Sequence, residues 1–129
     1  RAVANYDSVA EADGAANIIK TALDEFGAVH GVVSNAGILR DRTLKNMTPA
    51  DFEDVVKVNL GGAFNTLKHA ATMLRPNARV VNIASVAAFT GFFGQANYAA
   101  SKSGVVALTK VAAREFARHG TTVNCVAPG

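Results

Sequence analysis

The sequence predicts a doubly wound α/β fold on a parallel sheet, and three observations carry the prediction. Short apolar runs at residues 29–34, 80–85 and 122–127 lack the polar alternation of a half-solvated strand, the pattern of strands covered on both faces. The stretches between them carry apolar residues at helical spacing. Strand and helix patterns alternate along the whole chain, the order that βαβ units produce.

Residues 2–5 (Ala-Val-Ala-Asn) read as the tail of a strand. From Ser8 to Phe26 the residues Ile18, Ile19, Leu23 and Phe26 fall at roughly helical intervals, and Gly27 supplies a stop. Val29 to Ser34 is the next strand, running into the turn Ser34-Asn35-Ala36-Gly37. Thr48 is an N-cap with Pro49 in the first helical position, followed on one stripe by Phe52, Val55, Val56, Leu60, Phe64 and Leu67, so a helix is predicted over 49–74. Pro76-Asn77 marks a turn into the strand that closes at Ser85. Residues 90–95, rich in Gly and Phe, form a loop, a helix runs over 98–118, and Gly120 precedes the last strand.

Tyr98 and Lys102 stand four residues apart and project from one helix face. A phenol with a pKa of about 10 is a poor acid or base near neutrality, and a neighbouring ammonium pulls that value down. Such a pair alone commonly paves a solvated helix. Here Ser85 ends a buried strand thirteen positions earlier, where its hydroxyl can donate to a carbonyl, and Asn59 sets an amide inside a long helical pattern.

Ser85, Tyr98 and Lys102 at this spacing, Ser34-Asn-Ala-Gly37 after a strand, the mid-helix Asn59 and the closing Asn124-Cys-Val-Ala-Pro-Gly129 resemble the classical short-chain dehydrogenase/reductases, across essentially the whole chain. The resemblance implies a Rossmann-type sheet and hydride exchange with NAD or NADP. It makes Tyr98 the general acid/base, Lys102 the group that lowers its pKa and binds the nicotinamide ribose, and Ser85 the polariser of the substrate oxygen. Asn59 would hold a water leading to Lys102. Asn35, Ala36 and Gly37 would line the adenosine side, with Ser8 and Val9 against adenine, although Ser8 stands where the family has an acid. Pro128 and Gly129 would approach the nicotinamide. Ser34 replaces the usual Asn and His30 a frequent Asp.

Two stretches, Ala4-Asn-Tyr-Asp-Ser-Val9 and Gly37-Ile-Leu-Arg-Asp-Arg42, look like the (3R)-hydroxyacyl-CoA dehydrogenase and 3-oxoacyl reductase members. A 3-hydroxyacyl or 3-oxoacyl thioester is the implied substrate, within a wider class of secondary alcohols and ketones. The Gly-rich βαβ that cradles a dinucleotide pyrophosphate is not in this sequence, nor is the closing substrate segment, so residues 1–129 are expected to be part of a single longer domain. A degenerate homologue that only oligomerises is the competing reading.

The 50% hydrophobic composition suits a globular core. The net charge of +3 is spread without a Lys/Arg block, which argues against nucleic acid as partner, and no apolar stretch is long enough to span a bilayer. His30, His69 and His119 lack metal-ligand spacing, and the lone Cys125 forms no internal disulfide. A reducing compartment follows, the cytoplasm or a eukaryotic peroxisome. Surplus apolar residues on helices 49–74 and 98–118, with Phe116 read as outward, predict a homodimer or homotetramer through those two helices.

Overall fold

The computed structural model describes residues 1–129. Three strands, β1 (Val29–Ser34), β2 (Leu74–Ile83) and β3 (Thr122–Val126), make one parallel sheet in the order β1-β2-β3. Helix α1 (Ala12–Phe26) precedes β1. Helices α2 (Pro49–Val56) and α3 (Gly62–Ala70), joined by a π-helical stretch Lys57–Gly61, cross from β1 to β2. The short α4 (Ala87–Thr90) and the long α5 (Ala96–Phe116) cross from β2 to β3.

Strand order follows chain order, so successive right-handed crossovers lay their helices on one face. The core agrees: Ile19 of α1, Leu67 and Ala70 of α3 and Ala112 of α5 meet Val29, Val32, Val80 and Val123 of the three strands in a single cluster. The other face is open, with Val33 66% and Val126 50% exposed. Cover on both faces, expected from the apolar runs, is therefore present on one face of these residues.

Several boundaries differ from the sequence reading. Residues 2–5 are not a strand, because no other strand lies alongside them; Asn5 Nδ2 instead donates to Thr21 Oγ1 on α1 at 2.9 Å. Helix α1 starts at Ala12 rather than Ser8, since Ser8 closes a turn in which its carbonyl accepts from Glu11 N and its hydroxyl from Ala10 N. That turn folds back on the helix so closely that a Cβ at Gly14 would lie 2.2 Å from the Ser8 carbonyl oxygen.

The helix expected over 49–74 stops at Ala70, and the chain enters β2 at Leu74. Pro76-Asn77, expected as a turn leading into the strand, lies inside β2. Val29 pairs with Leu74 and Gly31 with Arg79, so the extra β2 residues bulge out, and Asn77 takes the left-handed φ of 61°. Helix α5 begins two residues before Tyr98 and ends at Phe116, followed by a 3-10 turn Ala117–His119 and Gly120 at φ 69°. Phe116 is half-buried against the main cluster, not outward as expected.

Thr48 caps α2 as expected. Its hydroxyl accepts from Asp51 N at 3.1 Å, and the Asp51 carboxylate accepts from Thr48 N at 3.1 Å and from its hydroxyl at 2.8 Å. These bonds, with Arg42 as a lesser contributor, hold the Asp51 carboxyl below its ordinary 3.8. The folded state thus favours the carboxylate, so the cap's stabilisation is present above pH 3.8 and is lost as pH falls through the depressed value. Thr48→Ala should cost about 1 kcal/mol in thermal unfolding at neutral pH and flatten part of the acid dependence. An unchanged acid limb would contradict this account.

Candidate active site

In a parallel sheet all strands end on one side, and loops gathered there form the site. Gly37 lies just past β1, Ser85 just past β2 and Pro128 just past β3. Two backbone bonds splice the last two loops together, Ala84 N to Val126 O at 2.8 Å and Val86 N to Pro128 O at 2.9 Å. A cleft of about 330 Å³ results, lined among others by Asn35, Gly37, Ser85, Tyr98, Lys102 and Pro128.

The Ser85 hydroxyl accepts from Ala87 N at 3.2 Å and has no acceptor for its own hydrogen within the chain. Tyr98 is half-buried in the first turn of α5, and its phenol makes no hydrogen bond inside the protein. Lys102 lies one turn on, only 4% exposed, so it is not a solvated helix lysine. Its ammonium donates to the Ile83 carbonyl at 2.7 Å and sits 5.7 Å from the Tyr98 ring centroid. Burial pushes its pKa below the ordinary 10.5, with nearby Cys125 opposing the shift.

Because folding lowers that pKa, the unfolded chain binds the extra proton between the folded value and 10.5, and stability contributed here rises with pH through that window. Lys57, raised by its contact with Glu11, acts in the opposite sense, so the two must be separated by substitution. Lys102→Met should match the wild type in stability at neutral pH or exceed it, and the difference between the two should vanish towards pH 10.5. Denaturant unfolding of both proteins across the alkaline range measures it.

Asn59 is 2% exposed and clamps the loop after β1 to the helices. Its Oδ1 accepts from Ile38 N at 2.8 Å, while Nδ2 donates to Ile38 O at 3.1 Å and to Ser101 Oγ at 3.2 Å. Ser101 in turn donates to the Tyr98 carbonyl at 2.8 Å. Asn59 lies in the π-helical stretch Lys57–Gly61, a local departure from the α-helical ladder.

Asn35 also lines a second groove of about 240 Å³ between α1, β1 and α3, together with Val9 and Ala36. Val9 is fixed there by Asn65 Nδ2, which donates to its carbonyl at 3.0 Å. Ser8, occupied in its local turn, lines neither cavity. Gly129 does not line the cleft; it lies beside Val86. The sequence reading gave no role to Asn97 and Ser101, whose side chains hydrogen-bond the Tyr98 backbone. The one available signal was their adjacency to Tyr98 and Lys102 on the same helical turns.

The residues present fit one end of a nicotinamide dinucleotide. Lys102 spends one of its three N–H donors on Ile83, leaving two for ribose hydroxyls. At Gly37 a Cβ would reach 3.3 Å from Asn59 Oδ1 and 3.6 Å from Lys102 Nζ, so glycine keeps the floor of the cleft clear. NAD and NADP share the end that these residues would hold.

Comparison with known proteins bears on the same cleft. The sequence model of the short chain dehydrogenase family matches residues 2–129. A Mycobacterium tuberculosis protein named as a short-chain type dehydrogenase/reductase is 54% identical over 130 residues, covering 99% of this chain and 46% of its own. The 3-oxoacyl-[acyl-carrier-protein] reductase of Staphylococcus aureus is 46% identical over 124 residues, covering 95% of this chain and 50% of its own. A crystal structure of a short chain dehydrogenase from Mycobacterium avium superposes with a TM-score of 0.96 at 41% identity, over 99% of this chain and 47% of that one. The chain thus spans about half the length of the curated relatives it matches. With the parallel sheet, the cleft at its carboxyl ends and a family match over nearly every residue in agreement, the chain belongs to the short-chain dehydrogenase/reductase family.

Proposed function

We propose that the protein containing this chain is an NAD(P)-dependent oxidoreductase that interconverts a secondary alcohol and a ketone, with a 3-hydroxyacyl or 3-oxoacyl thioester as substrate. The observation that carries this reading is the meeting of Ser85, Tyr98 and Lys102 in one cleft with Asn35, Gly37 and Pro128. The dinucleotide, when bound, supplies or takes up the hydride. Everything else is proton handling and placement by the chain. Ser85 donates to the carbonyl oxygen, and Tyr98 delivers the proton that oxygen needs as it becomes an alcohol, or removes it in the reverse direction. Lys102 holds positive charge beside the phenol and offers its two free donors to the ribose. Asn59, clamped to Ile38 and Ser101, keeps the loop and helix in register and is the residue we assign to a water path from Lys102.

The acyl choice rests on the reductases named above and on exposed apolar side chains: Leu39 in the cleft wall is 51% exposed, and Phe89, Phe92 and Phe93, on the segment that follows Ser85 in sequence, are 68%, 53% and 93% exposed. Asn35, Ala36 and Val9 are assigned to the adenosine side, and Pro128 with Gly129 to the nicotinamide. The enzyme is placed in the cytoplasm, in keeping with its free Cys125 and bacterial relatives; those relatives lend nothing to a peroxisomal setting. No helix is long and apolar enough to cross a membrane. Homodimers, or tetramers built from them, are assigned to the outer faces of α2–α3 and α5.

The test is reduction of acetoacetyl-CoA by the complete protein, followed through nicotinamide absorbance with NADH and NADPH in turn. Turnover supports the reading. Tight cofactor binding with no turnover on any ketone or thioester would leave the non-catalytic homologue as the answer.

A further inference from the structure

Asn97 lies directly before Tyr98 and is completely buried, with no accessible surface. Both its amide donors and its oxygen are engaged, with two segments distant in sequence and with its own helix. Its Nδ2 donates at 2.9 Å to the carbonyl of Arg40, in the loop that leaves the cleft wall, and at 2.9 Å to the carbonyl of Asp51, in the first turn of α2. Its Oδ1 accepts from Tyr98 N at 2.8 Å.

Each bond answers a local need. The N-cap residue of α5, Gln95, has no side-chain capping bond, and the first N–H groups of a helix lack intrahelical acceptors. The carboxamide oxygen takes the one that belongs to Tyr98. The two donors then tie this turn to segments far away in sequence. The reversed amide would set an oxygen against two carbonyls and an NH₂ against an N–H, so only one orientation satisfies the site. Next to it Arg42 N donates to Gly94 O at 2.9 Å and Gln95 Nε2 to Asp41 Oδ2 at 3.0 Å, which makes a strip of contacts between residues 40–42 and 94–97.

We infer that Asn97 is a positioning residue for the reaction: it sets the Tyr98 phenol against the Gly37–Leu39 wall of the cleft by locking the first turn of α5 to that loop and to α2. The inference rests on the reading of Tyr98 as general acid/base. Asn97 touches neither substrate nor cofactor and acts only through Tyr98. Ser101 secures the same turn from its other side, bridging the Tyr98 carbonyl to Asn59, so removing Asn97 loosens the tyrosine without melting the helix.

In the complete protein, Asn97→Ala is expected to lower kcat for acetoacetyl-CoA reduction about 10- to 100-fold, the cost of misplacing a reacting group by about 1 Å, with KM for the nicotinamide cofactor unchanged. Asn97→Asp, the same size but an acceptor facing two carbonyl oxygens, should be the worse of the two; a role in filling space alone predicts the reverse order. With ring-labelled tyrosine, the Tyr98 NMR signal, assigned by its loss in Tyr98→Phe, should shift or broaden in Asn97→Ala, while that of the 95% exposed Tyr6 stays in place. An unchanged kcat, a still Tyr98 signal, or failure of both Asn97 variants to fold would overturn the inference. A Tyr98→Phe protein that kept its activity would instead overturn the reading beneath it.

Discussion

Tyr98→Phe in the complete protein is expected to abolish carbonyl reduction and leave cofactor affinity nearly unchanged. The change removes one oxygen and keeps the ring. That oxygen has no hydrogen-bond partner within the chain, so its loss orphans nothing and the fold should not notice. What disappears is the proton source, and general acid/base catalysis contributes at least about 10²-fold. Lys102→Ala should harm turnover and cofactor binding together, because the ammonium lies against the Tyr98 ring and also carries the free donors that fit a ribose. The pair of variants is diagnostic as a pattern. Steady-state kinetics that left Tyr98→Phe with more than roughly a tenth of wild-type activity would take the tyrosine out of the chemistry.

How much of this was legible in the sequence follows from how local each feature is. The three strands could be read because a buried strand is an uninterrupted apolar run, and the start of α2 because the Thr48-Pro49 pair is itself the cap. Ser85, Tyr98 and Lys102 were legible because a strand end and a single helical turn fix their relation. Features that depend on distant partners were not. Residues 2–5 have strand composition, but strand structure needs a neighbour. The bulge at Pro76-Asn77 depends on the register with Val29 and Gly31, which no local pattern contains. Asn97 and Ser101 are polar residues on a helix, and the sequence alone does not say that one reaches Arg40 and Asp51 and the other Asn59.

The same distinction governs the proposed assembly face, where burial changes the choice of residue to test. Periodicity marked α2–α3 and α5 as more apolar than one sheet contact requires. Most of that surplus proves to be core: Val55, Ala63 and Leu67 are 0%, 6% and 3% exposed, and Phe116 packs inward. What stays outside is Phe64 on α3 and Val111 on α5, at 49% and 53% exposed, flanking a groove of about 270 Å³ between the two helices. Phe52 at 40% extends the apolar surface onto α2. A two-fold contact would use such a patch twice, so one substitution per chain is felt at two places. Burying a new polar or charged group without a partner costs about 2 kcal/mol at each, hence about 4 kcal/mol per dimer, or about 10³-fold in Kd. Phe64→Glu and Val111→Glu are therefore expected to give monomers in sedimentation with the monomer fold intact, whereas Phe116→Glu would damage the core and could not separate the two effects. Activity should fall with assembly, because α5 carries Tyr98 and Lys102 near its start and loses its outer support. Unaltered sedimentation of both variants would move the interface away from α3 and α5.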